Sequence, residues 1–148
     1  MTLASVVQRL GASKAKDVLA IVDSCFSGEG GRSVLPPGAR ALVRVQETPV
    51  TGGVAVFTAA SGAETSGPAP GGADGLFTQY VLQGLGTGAA DIDGNGSITL
   101  DELATWVKPR VSAAATQDHR DQHPSLVVGS TLGTPANFIV EWGLPQAH

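Results

Sequence analysis

The stretch VLAIVDSCFSGEGGRS, residues 18–33, decides the reading of the fold. From Asp17 to Val22 the chain is short, almost wholly apolar and rich in β-branched residues. Such a run predicts a strand buried on both faces, as in a parallel sheet covered by helices. Asp23 to Ser27 then fall at the carboxyl end of that strand, where open α/β sheets concentrate ligand and catalytic residues. Cys25 is the single cysteine of the chain, so no internal disulfide exists. A lone cysteine is either a small buried hydrophobe or a reactive thiol. Just past a rigid strand, and followed by Ser27 and Gly28, its thiol is well placed for nucleophilic attack. The backbone N–H groups after it could face a developing oxyanion.

Working outward, apolar residues at 3, 6, 7 and 10 have helical spacing, and Gly11 is a natural stop. Residues 28–53 are rich in Gly, Pro and Arg and read as a long loop. Val54 to Thr58 (VAVFT) is a second buried strand, and 59–75 a further loop of small residues. Leu76 to Leu85 reads as a helix ended by glycines. Thr99 to Ala115 reads as another, with Thr99 and Glu102 spaced as a capping box and Pro109 expected to kink or split it. Residues 116–124 are polar loop. Leu126 to Val128 and Asn137 to Trp142 are strand candidates, the second an expected edge strand.

The 148 residues suffice for one domain with a core, and 42% hydrophobic against 15% charged favours a folded chain over disorder. A net charge of −4 without a basic block speaks against a nucleic-acid partner. No apolar run approaches the ~20 residues that span a bilayer, and Met1 to Leu10 lacks the pattern of an export signal. A cytoplasmic location away from membranes is therefore expected.

VLAIVDSCFSGEGGRS resembles the cysteine segment of caspase-like cysteine peptidases, including metacaspases and their bacterial relatives. Phe26 departs from the His that many members carry there. VAVFTAASGAETS (54–66) is similar to the next strand and loop of that family, and DGLFTQYVLQGL (74–85) to the following helix. ADIDGNGSITLDELATWV (90–107) resembles its continuation, and DQHPSL (121–126) the Gln-x-Pro segment near the end. These blocks come in family order over roughly residues 3–142. The resemblance implies a partial caspase-like α/β three-layer sandwich with a mostly parallel sheet. Residues 1–27 would be the helix and cysteine-bearing strand, 28–53 the long loop, and 54–148 the part resembling a small subunit.

It also implies a cysteine endopeptidase with Cys25 as nucleophile. A thiol near its ordinary pKa is mostly protonated at neutral pH and needs a base beside it. In the family that base is a His placed before the cysteine, and this sequence has none there. His119, His123 and His148 all follow it. The first two read as solvated surface. The expectation is a fragment or truncated product that needs a His-bearing N-terminal half, in cis or in trans. The strand ending at Val22 would then have an unpaired edge.

Metacaspase-like members cut after Arg or Lys. Asp23 matches the acidic residue two before the cysteine, while Ser61 and Glu64 fall in the loop that would form the opposite wall. Asp23 also has a purely local reading as a strand-end turn residue. A protein or peptide substrate with a basic residue before the cut is expected through charge-assisted pairing. Arg32, Arg40 and Arg44 would be consistent self-cleavage sites.

Residues 91–102 fit the 12-residue EF-hand pattern between two helical stretches. Asp91, Asp93 and Asn95 supply oxygens at positions 1, 3 and 5, and Gly96 the sharp turn. Ser97 offers a backbone carbonyl, Thr99 could hold a water, and Glu102 can bind in bidentate fashion. Ca²⁺ is the expected ion, since three clustered carboxylates repel without a cation. Asp101 reads as helix-start charge. A metal-free turn that caps the following helix is the alternative, and EF-hands usually pair whereas a single one is present. The rival to an enzyme is a non-catalytic calcium-binding interaction module with Cys25 as a relic.

Overall fold

The computed structural model describes residues 3–23, 49–61, 64, 66, 67, 69 and 75–142. Cys25, the three loop arginines and most of the loop expected over 28–53 lie outside the described residues. The described chain is mixed α/β: three α-helices, a small mixed sheet and a separate two-stranded ribbon.

Helix α1 spans Leu3–Gly11 and leads into β1, Val18–Val22. β2, Val54–Thr58, lies beside β1 in parallel, with Val18 opposite Val54 and Val22 opposite Thr58. Parallel neighbours need a crossover, here the chain between 23 and 54. β4, Ser125–Val128, pairs antiparallel with the other edge of β2, Thr58 facing Ser125. The order is β1-β2-β4, so one pairing is parallel and one antiparallel, and the expected mostly parallel sheet is not what the described residues form. β4 is the reason. It follows the helix Leu100–Gln117 directly through a short connection and enters the sheet from the opposite end.

The alternation of side chains along a strand sorts the core. Val54 and Val56, with Val18, Ala20 and Val22, face Val7 and Leu10 of α1. On the other face Phe57, Leu19 and Leu126 meet α2, Leu76–Gly86, and α3, Leu100–Gln117. Phe57 is fully buried and stands edge-on to Phe77, ring centroids 4.9 Å apart at 84°. Such a contact adds to the burial of two large apolar rings. The expectation that β1 is buried on both faces needs correction. β2 is completely buried, but β1 is partly exposed throughout, with Ile21 42% exposed. β1 has no second strand partner among the described residues, so one side of it faces out.

α3 also departs from expectation, running unbroken from Leu100 to Gln117 through Pro109. Val107 and Val111, on either side of the proline, are fully buried and hold both halves against α2. Beside it the Arg110 guanidinium donates to the Trp106 carbonyl at 2.8 Å and lies 4.2 Å from the centre of the Trp106 ring. Packing here outweighs a local cost that ends helices in isolation. Between α2 and α3 the chain forms β3, Ser97–Thr99, which pairs antiparallel with β5, Ile139–Trp142. β5 thus lies at the edge of its own ribbon, not of the main sheet.

Phe57→Ala should cost about 3–5 kcal/mol, the range for deleting a buried aromatic ring. Urea unfolding followed by circular dichroism measures it. A loss below about 1 kcal/mol would mean that this core is not the one described.

Candidate functional site

β1 and β2 run parallel, so the segments leaving them emerge at one end of the sheet. β4 runs the other way, so the segment that leads into it arrives at that same end. Asp23, Ser61, Glu64, Gln122 and His123 all belong to these three segments.

Asp23 stands one residue beyond β1 and caps α2 from a different element. Gly75 precedes α2 and has no side chain to do so. The Asp23 Oδ2 accepts from the backbone N–H of Thr78 at 3.2 Å and from its hydroxyl at 2.6 Å. A carboxylate on the first free N–H groups of a helix satisfies orphan donors and complements the helix dipole. A Cβ at position 75 would collide with that carboxylate, so glycine there is set by the close approach of β1. The other oxygen, Oδ1, is buried and has no hydrogen-bond partner among the described residues.

Glu64 is drawn inward by two segments at once. Its Oε2 accepts from the Ser61 backbone N–H at 3.2 Å, the Ser61 hydroxyl at 3.1 Å and the His123 backbone N–H at 2.8 Å. Its Oε1 lies 2.7 Å from His123 Nδ1. Partial burial pushes the Glu64 carboxyl up, but the bonds from His123 and Ser61 outweigh it and hold the group below the usual carboxylate range. Beside it Gln122, 1% exposed, accepts from the Gly67 N–H at 3.1 Å and donates to the Ala59 carbonyl at 3.0 Å. Its own carbonyl accepts from Ser112 of α3 at 3.0 Å. The segment before β4 is therefore fixed on three sides.

The loop of residues 91–102 lies at the junction of α2 and α3. Asp91, Asp93 and Glu102 bring one carboxylate oxygen each within 4.8 Å of one another. Asp91 accepts from Asn95 N–H at 3.1 Å and from Gly96 N–H at 2.9 Å, and the Asn95 side-chain oxygen accepts from Ser97 N–H at 2.8 Å. Gly94 and Gly96 turn through positive φ, 72° and 83°. Thr99 caps α3 in a full capping box with Glu102, as the spacing predicts. Glu102 Oε1 also reaches back to the N–H groups of Ile92 at 3.1 Å and Asp93 at 3.4 Å. Partial burial pushes the Glu102 carboxyl up, and these bonds outweigh it and hold the group low. Ile98 is fully buried, and its strand register, opposite Glu141 in β5, anchors the loop. Hard oxygen donors at this spacing are the chemistry of Ca²⁺ sites.

The structure thus brings Asp23, Ser61 and Glu64 to one edge and keeps Asp91, Asp93, Asn95, Ser97 and Glu102 in one loop elsewhere. Cys25 is outside the described residues, two positions beyond Asp23. Sequence reasoning missed His123, read as plain surface, and the buried role of Gln122. The Gln-x-Pro segment was the available signal, but its partners at 59, 64 and 67 lie far away in the chain. No family model, curated protein or solved structure matches this chain.

Glu64→Gln should change the pH dependence of stability. A depressed folded pKa contributes stability that is complete above the unfolded value and lost as pH falls through the folded one. Wild type should therefore lead the variant at neutral pH and lose that lead in acid, below the usual carboxylate range. Urea midpoints of both proteins measured from pH 7 to pH 3 check it, and parallel curves would count against it.

Proposed function

We propose that this chain is the cysteine-bearing part of a caspase-like endopeptidase that cuts after Arg or Lys and carries a Ca²⁺ loop. The observation that carries the reading is Asp23. It stands at the carboxyl edge of the sheet, two residues before Cys25, with one buried carboxylate oxygen that has no partner among the described residues. A buried anionic oxygen favours a guanidinium or ammonium group through a charge-assisted bond. The ordered family-like segments of the sequence support the same reading.

In this reading the Cys25 thiolate attacks the scissile carbonyl. Backbone N–H groups, around Gly28 or in an N-terminal half, stabilise the oxyanion. A His from that half takes the thiol proton and later protonates the leaving amine, so Cys25 depends on a partner segment in cis or in trans. Asp23 receives the basic side chain, and Ser61 with Glu64 shapes the opposite wall. Glu64 spends its oxygens on Ser61 and His123, so it acts there as a fixed surface. Asp91, Asp93, Asn95, Ser97 and Glu102 would hold Ca²⁺, which supplies structural rigidity to the α2–α3 junction or activates. A cytoplasmic setting fits, and no helix among the described residues is long and apolar enough to cross a membrane.

A second reading is a calcium-binding interaction module without catalysis. It is favoured by the convergence of Asp91, Asp93 and Glu102 and by the use of Asp23 as a helix cap, a purely structural task.

Two experiments separate the readings. The chain, alone and with an added His-bearing half, is assayed on an Arg-reporter peptide with and without Ca²⁺. Turnover abolished by Cys25→Ala is expected, and its absence in every combination would falsify the peptidase. Isothermal titration of Ca²⁺ should show one site, weakened at least about tenfold by Asp91→Ala, which removes a charged ligand. No heat of binding would sink the metal claim.

A further inference from the structure

We propose that His123 and Glu64 form a carboxylate–imidazole dyad whose second ring nitrogen, Nε2, is the proton acceptor for a weakly acidic X–H group, a thiol or a water, at the carboxyl edge of the sheet. This goes beyond the peptidase reading and does not depend on it.

The tautomer follows from the bond. An ionised carboxylate only accepts, so at 2.7 Å from Glu64 Oε1 the hydrogen sits on His123 Nδ1. In the neutral ring this leaves the lone pair on Nε2. Glu64 stays ionised because its other oxygen accepts three further bonds, from Ser61 N–H, Ser61 Oγ and His123 N–H. The carboxylate then fixes the ring and its tautomer and pairs with the imidazolium as it forms, so the Nε2 lone pair is the one presented to solvent.

Three further features fit a prepared group rather than an incidental surface pair. The backbone that carries His123 is fixed, by Gln122 on one side and by the pairing of β4 on the other. The ring remains open to solvent, its side chain 61% exposed against 24% for Glu64. Among the described residues, the charged neighbours of His123 in the chain are committed or outward: Arg120 bonds Asp118 at 3.1 Å and the Gln122 oxygen at 3.2 Å, and Asp121 is exposed. Glu64 is therefore the anion that faces the ring.

The step balances within the dyad. Nε2 takes the proton of X–H, and the bonding pair remains on X. The imidazolium stays paired with Glu64 and returns the proton to X or to water. His123 is the acceptor, and Glu64 is a positioning residue that acts through it.

The test uses the intact chain and diethyl pyrocarbonate, which acylates the unprotonated imidazole nitrogen. Per-residue rates are read by mass spectrometry at about pH 8.5, above the ordinary imidazole range, so that unprotonated rings are compared. His119 is the internal reference, since it is exposed and has no ring hydrogen bond among the described residues. His123 should react about threefold faster than His119, the part of one charge-assisted bond that the acylation step expresses. Glu64→Gln keeps an acceptor oxygen and removes the charge, so it should bring His123 close to the rate of His119. Equal rates in the wild type, or an advantage that survives Glu64→Gln, would overturn the proposal. A nitrogen–proton correlation spectrum guards against a misfolded variant, because it reads the wild type alone. A dominant Nδ1–H tautomer at His123 supports the dyad, and a dominant Nε2–H tautomer refutes it.

Discussion

Val54–Thr58 is covered on both faces and hydrogen-bonded on both edges, and the rest of the molecule is arranged by that. Five residues without a charge give the backbone no solvent to turn to. Every N–H and C=O must find a strand on either side. Apolar residues on both faces then require helices above and below, and α1 on one side with α2 and α3 on the other supply them. β1 borrows its order from this strand rather than from its own burial, which explains why an equally apolar sequence ends up half-exposed.

The two candidate sites relate differently to that strand. The carboxyl edge is made of what the strands release: Asp23 from β1, Ser61 and Glu64 after β2, Gln122 and His123 before β4. Ser61 and Glu64 meet locally, but the three segments would not be near one another without the pairing. The 91–102 loop is built from its own residues and needs the sheet only for the anchor of Ile98 and β5. The first site is a product of tertiary structure and the second of local sequence.

That difference sets how much was legible beforehand. In the 91–102 loop the turn glycines, the grouping of the carboxylates and the capping box could be read, because each acts over a few residues. The strands at 18–22, 54–58 and 125–128 and the helices could be read from apolar spacing, within a residue or so at their ends. Pro109 misled because a helix-breaking residue was weighed without the packing of Val107 and Val111. The buried Gln122, the Glu64–His123 bond and the use of Asp23 as a helix cap were not legible. Each joins residues more than fifty positions apart, and no local pattern announces such a pairing. β1 was misjudged for the same reason: five apolar residues do not say whether they sit in the middle of a sheet or at its side.

The pairing of β3 with β5 carries a consequence for how the molecule is made. The strand inside the 91–102 loop is completed by nearly the last described residues of the chain. On a ribosome, the helices on either side of that loop can emerge and pack long before its partner strand has been synthesised. The loop must then wait with one row of backbone groups hydrated. The ribbon would thus be the last piece to set, and a nascent chain halted before residue 139 would hold a sheet and three helices but an unfinished loop.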